Sequence, residues 1–169
     1  MIVLTVLARS QQLGNLYFEN EKVVYRKVFE VDTINADELQ KMLENHLIRI
    51  PAVKELQYIG EFIGIINGMF VDVDKYLGKR LTYWSELSKP MDAKMKIQVK
   101  NGRYRVIIEE IKFINPSPYS VFSLDIIASE RNLKTTLSSN FYKRSLGYLD
   151  QFLTDLFTLK IESFNQDDW

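Results

Sequence analysis

The feature that most constrains the fold is the dipeptide Asn101-Gly102, set between two alternating runs in "KMKIQVKNGRYRVIIEEIKF" (94–113). Asn-Gly flanked by alternating apolar residues is the strongest short-range signal for a β-hairpin, because a type I′ turn needs positive φ at both central positions. A two-residue turn also fixes the register. Lys100 then faces Arg103, Val99 faces Tyr104, Gln98 faces Arg105 and Ile97 faces Val106. Side chains alternate along a strand, so Met95, Ile97, Val99, Tyr104, Val106 and Ile108 share one face. The other face carries Lys94, Lys96, Gln98, Lys100, Arg103, Arg105, Ile107 and Glu109. Continued unbroken, the alternation would bury Glu110 and Lys112 and expose Ile111 and Phe113. A β-bulge at Glu109-Glu110 reverses that, and the pattern predicts one there.

The remaining elements are read around this hairpin. "KVVYRKVFEV" (22–31) is rich in β-branched and aromatic residues and predicts a strand, with Tyr25, Phe29, Val31 and Lys27 on one side. Asn35 and Glu38 have capping-box spacing, and Leu39, Met42, Leu43, His46, Leu47 and Ile50 follow at helical intervals before Pro51. Residues 53–74 predict two extended segments turning near Gly60, with Ile63, Ile65, Met69, Val71 and Val73 on one side and Gly64 and Gly68 marking weak points or bulges. Residues 75–90 form an irregular connection carrying Tyr83 and Trp84, and 121–138 is ambiguous, with a strand at "VFSLDII". A long amphipathic helix starts at Ser139 or Asn140 and carries Leu149, Phe152, Leu153, Leu156 and Leu159 or Lys160 in register. The order predicts an α+β fold of two layers: an antiparallel sheet of about five strands with two main helices on one face.

At 169 residues and 46% apolar content the chain fits one domain, assigned to residues 11–169, with no apolar run long enough to span a membrane. Lysine plus arginine and aspartate plus glutamate total 22 each, so any electrostatic partner must be read by a local patch, not by net charge. With no cysteine there are no disulfides, thiolate nucleophiles or cysteine-ligated zinc. In "MIVLTVLARSQQ" a short apolar run precedes Ala8 and Ser10, small residues of the kind export peptidases accept. Residues 1–10 therefore read as a signal-peptide remnant, with an ordinary first strand as the alternative.

The candidate chemistry is sparse. His46 is the single histidine and lies on the apolar stripe of the first helix, which favours a core-edge role over that of a catalytic base. No nucleophile elbow, HExxH or phosphate loop occurs. Asp72 and Asp74 would project from one side of a strand as a hard-metal pair does, but no third oxygen ligand is in view and a solvated strand end explains them. Glu109 and Glu110 are explained by the bulge and by a cross-strand partner for Lys94. The row Lys94, Lys96, Lys100, Arg103 and Arg105 is the one coherent constellation. It supplies cations but no aromatic ring to stack on bases, which disfavours nucleic acid. Glu30, Glu55 or Asp72 on neighbouring strands could neutralise it.

The succession of "KVVYRKVFEV", "NADELQKML", "KIQVKNGRYRVIIEEI" and a closing amphipathic helix resembles an uncharacterised bacterial family, a domain of unknown function with a TBP-like fold. The lysine and Gly-Arg-Tyr-Arg run at Lys100 and Gly102 to Arg105 is its most specific part, while 75–89 and 116–138 depart from it. The resemblance implies the TBP-like shape and export to the periplasm or cell envelope, and it brings no activity or site residues. The resulting expectation is a non-enzymatic module without cofactor, which binds an unknown protein or envelope ligand through the open sheet face or through Tyr83, Trp84 and Tyr119. The alternative is anion or nucleic-acid binding across the cationic face.

Overall fold

The hairpin forms in the register its turn dictates. In the computed structural model, which describes residues 11–77, 82–116 and 119–160, β6 (Met91–Lys100) pairs with β7 (Arg103–Pro116) through Ile97↔Val106, Gln98↔Arg105, Val99↔Tyr104 and Lys100↔Arg103. Met95, Ile97, Tyr104, Val106 and Ile108 are buried, whereas Lys94, Lys100, Arg103 and Arg105 are exposed. The predicted bulge is present. Glu110 adopts φ +53°, the register shifts between Asp92 and Lys94, and Ile111 and Phe113 return to the core.

The turn type differs from the expectation. Only Gly102 takes positive φ (+70°), as a type II turn requires at its second central residue, and Asn101 does not. Tertiary contacts account for the change. Asn101 Oδ1 accepts from the Ala36 N–H, the Gly102 N–H donates to Ile34 O, and Gly102 O accepts from Val31 N. The turn is thereby docked on the loop that leads into α1 (Ala36–Leu47). A turn with positive φ at both central residues occurs instead at Asn20 (+50°) and Glu21 (+59°), between β2 (Leu16–Glu19) and β3 (Lys22–Glu30).

Among the described residues eight antiparallel strands form one sheet, more than the roughly five expected. Its order is β1 (Gln11–Leu13), β2, β3, β7, β6, β5 (Phe62–Met69) and β4 (Val53–Tyr58), with β8 (Tyr119–Ser123) also on β7. The uncounted strands are the short ones: β1 (Gln11–Leu13), β2 and β8 (Tyr119–Ser123) are too brief for alternation to register in sequence. β7 pairs with β3 over 103–108 and with β8 over 112–116. Because Lys112 and Phe113 pair with β6 as well, β8 extends the edge on which β3 stops. Among the described residues, 1–10 are not represented, so the signal-remnant expectation falls outside them.

β4 (Val53–Tyr58) and β5 (Phe62–Met69) turn at Gly60 as expected, but the inward face of β5 is corrected. Phe62, Gly64 and Ile66 point to the core, while Ile63 is 37% exposed and Ile65 is half-buried. A register shift between Ile66 and Met69, with Gly68 at φ +67°, restores Met69, Val71 and Val73 to the interior. Gly68 is the bulge signal.

The helices supply the second layer. Asn35 caps α1, its Oδ1 accepting from Glu38 N at 2.9 Å, and Leu39, Leu43 and Leu47 are fully buried. α4 (Asn140–Phe157) buries Leu146, Tyr148, Leu149, Leu153 and Phe157, and ends before the predicted Leu159 position. Between them lie the single-turn α2 (Asp74–Leu77) and α3 (Glu130–Ser138). The latter was not legible as a helix: of the "VFSLDII" strand only the first three residues are extended, and a 3-10 turn over Leu124–Ala128 leads into α3. Two main helices therefore become α1 and α4 with two shorter companions.

Candidate functional site

The outer face of the sheet is where the predicted cations stand. β3 contributes Arg26, Val28 and Glu30, β5 contributes Ile63 and Ile65, and between them β6 and β7 contribute the five-residue row, Ile107 and Glu109. The helices pack on the opposite face: Tyr25 and Tyr104, both inward, hydrogen-bond to Thr154 and to Phe157 O of α4.

The row is divided by its partners. Lys94 Nζ lies 2.7 Å from Glu110, and Lys96 Nζ 3.2 Å from Glu61. The neutralising acids are thus Glu110 of the bulge and Glu61 of the β4–β5 turn, not Glu30, Glu55 or Asp72, and Glu109 does not hold Lys94 although it faces it in register. Both acids arrive through local distortions that alternation cannot place. Arg105 is bound by Gln98, whose Oε1 accepts from Nε at 3.0 Å and from Nη2, while Gln98 Nε2 donates to Glu61 at 2.8 Å. Lys100 and Arg103 have no carboxylate within ion-pairing distance among the described residues. The row therefore resolves into two compensated lysines and three uncompensated cations at the hairpin end. Arg26, further along the face, is held by Glu19 at 2.7 Å and lies over the Tyr17 ring.

Two shallow depressions mark this face. One, of about 260 Å³, is lined by Val28, Gln98, Lys100, Arg103, Tyr104 and Arg105. The other, of about 310 Å³, includes Ile63, Ile65, Lys94, Lys96, Ile107 and Glu109. Val28 is 46% exposed, so the first combines positive charge with an apolar contact.

The hydrogen bond from Gln98 and the contact with Lys96 hold Glu61 below its ordinary value of 4.5, and Lys94 does the same for Glu110. For a carboxylate whose folded pKa is depressed, the stabilisation is present above the unfolded value and is lost as pH falls through the folded one. Thermal melts are therefore expected to show stability falling as pH is lowered from about 5 toward 3, and falling less steeply in a Glu61→Gln, Glu110→Gln double variant. Equal slopes in the two proteins would remove these pairs from the account. Both groups stay partly solvated at the surface, so the effect is small.

The other candidates are structural. His46 Nε2 hydrogen-bonds Leu156 O at 2.8 Å, tying α1 to α4. Asp72 Oδ1 accepts from Lys75 N at the start of α2. Among the described residues, no group of three or more His, Asp or Glu is placed to hold a metal. Trp84, expected as a binding aromatic, instead packs edge-on against Phe113, Phe122 and Tyr142, and its backbone N–H donates to Ser145 Oγ. Tyr83 is half-buried against the same core, and the Tyr119 side chain lies outside those described. An aromatic pair in an irregular loop is as much a core plug as a ligand platform, and only packing tells them apart.

Two solved structures share this architecture. A TBP-like protein from Parabacteroides distasonis superposes with a TM-score of 0.52 at 13% identity, covering 82% of this chain and 92% of that one. A DUF4468 family protein from Bacteroides ovatus gives 0.53 at 13% identity, covering 88% and 93%. The fold is TBP-like. No family model and no curated protein matches the sequence. At this identity the agreement is one of fold, so the TBP-like label describes the shape of the sheet and carries no DNA-binding role to it.

Proposed function

We propose that this TBP-like chain is a non-enzymatic binding module of the bacterial envelope that uses its open sheet face to hold a partner protein or envelope ligand. The observation that carries the reading is the face of β3, β7, β6 and β5 that no helix covers among the described residues, where Val28 is exposed beside Lys100, Arg103 and Arg105, and Ile63 beside the paired Lys94 and Lys96. Charges and apolar groups left together on a surface are a common basis of recognition. The envelope location is supported by "VLARSQQ" and by the sequence resemblance. Among the described residues, no helix is long and apolar enough to cross a membrane.

A nucleic-acid role across the whole row is weakened, since Lys94 and Lys96 are already neutralised and the outer surfaces of β6 and β7 offer no ring for stacking. The test is site-specific photo-crosslinking in the organism of origin. A crosslinker at Val28 or Ile63 should yield a discrete adduct in the envelope fraction, and one at Ile126, exposed elsewhere, should not. Adducts of equal yield from all three positions, or a chain recovered wholly from the cytoplasm, would overturn the proposal.

A further inference from the structure

Within that reading of the open face, we infer that the depression at the hairpin end recognises an extended acidic segment of a partner protein, laid along β7. The cavity is lined by three cations, Lys100, Arg103 and Arg105, and by no carboxylate. Glu30 faces Arg103 in register across β3 but forms no ion pair with it. Like charges gathered without a direct ion pair repel one another, and the arrangement gains when an anion enters.

The orientation of Arg105 adds a second argument. Gln98 gives its amide N–H to Glu61 and so presents its carbonyl oxygen to Arg105. The guanidinium is fixed without a direct ion pair. An ion pair with Glu61 itself would have spent the charge, as it does for Lys96. A pre-oriented guanidinium with free donors is suited to a carboxylate, which it can engage through two parallel hydrogen bonds.

Spacing selects the ligand. Arg103 and Arg105 are alternate residues of one strand, roughly 7 Å apart along it. Carboxylates at alternate positions of an extended peptide have the same separation, with Lys100 opposite Arg103 as a further donor at the first. Val28 stands directly across β3 from Arg105 and offers an apolar contact between the charges. A volume of about 260 Å³ is below the usual range for small-molecule pockets and accommodates side chains of a strand laid over the surface. The one aromatic residue of the lining, Tyr104, has its hydroxyl committed to Phe157 O in the core, which removes the stacking platform a nucleic acid would use.

The experiment is fluorescence anisotropy at low salt with a labelled peptide of alternating glutamate and valine, its glutamine-for-glutamate twin and an oligothymidylate of equal charge. The acidic peptide is expected to bind, and to weaken about tenfold or more on Arg103→Gln with Arg105→Gln. A Lys41→Gln, Lys134→Gln protein, with the same change in net charge on exposed helical positions, should bind within about twofold of the parent. The inference is overturned if the parent does not bind the acidic peptide, if the glutamine twin binds as well, if the control variant loses as much, or if the oligothymidylate binds more tightly. The crosslink from Ile63 separates the two readings. Its persistence in a protein that ignores acidic peptides would leave the binding module standing and remove the acidic ligand; its loss from the parent chain would remove the module itself.

Discussion

Replacing Phe113 by alanine is expected to cost about 3–5 kcal/mol, the range for deleting a buried aromatic side chain. Phe113 is fully buried, its ring edge-on to Trp84 at 6.1 Å, on a stretch of β7 paired on both sides, with Met91 of β6 and Phe122 of β8. Strands on both sides restrain the backbone, so the site cannot collapse to fill the cavity. A loss of this size is a large part of the roughly 5–15 kcal/mol that holds a typical domain together. It should appear as a fall in midpoint in urea with little change in slope. Lys112→Ala, one residue away and exposed, should lie within about 0.5 kcal/mol of the parent. A Phe113→Ala protein as stable as its Lys112→Ala neighbour would mean that the bulge does not turn Phe113 inward.

Tyr104→Phe should cost about 1–3 kcal/mol for the loss of one oxygen atom. The phenol is 1% exposed, donates to Phe157 O at 2.6 Å and accepts from Leu159 N at 3.2 Å, and burial pushes its pKa up to about 12. Phenylalanine keeps the stack on Phe29, whose ring lies 4.8 Å away and nearly parallel. What it loses is the partner of two backbone groups at the end of α4. The penalty therefore comes from leaving those groups unpaired, not from lost volume. Hydrogen exchange at Leu159 should accelerate with the drop in stability. Unchanged exchange and unchanged stability would show that water replaces the hydroxyl at no cost, and that α4 is not anchored to the sheet through Tyr104.

Both residues show how far local pattern reaches. The inward positions of Tyr104 and Phe113 follow from the Asn-Gly turn and from the need for a bulge, because each apolar residue must find the core and a one-residue step moves it to the other face. The same reasoning misplaced Ile63 and Ile65. Either register of β5 puts apolar residues inside, and the choice fell to Phe62 and Ile66, with Gly68 absorbing the step before Met69. Where both faces of a strand are apolar, alternation carries no information.

The candidate site divides along the same line. That the five cations share one face was legible, since face is set by parity along two strands of known register. Which of them remain uncompensated was not. Glu61 comes from the neighbouring β4–β5 turn and Glu110 from the bulge, both at points where regular spacing breaks. Trp84 was misjudged for a related reason: its loop has no period, so nothing local says whether the ring faces water or Phe113 and Phe122.

By itself, then, the sequence determined the hairpin and its register, the capped first helix, the bulge at Glu110 and the two-layer α+β class, because each rests on turn chemistry or periodicity acting over a few residues. Tertiary structure decided the rest. It chose the conformation of the Asn101-Gly102 turn by docking it on Ile34 and Ala36, added the short strands whose stability comes from their neighbours, and left Lys100, Arg103 and Arg105 as the cations of the row without an ion pair among the described residues. Pairing between residues far apart in the chain depends on where whole elements come to rest, and no short window of sequence contains that information.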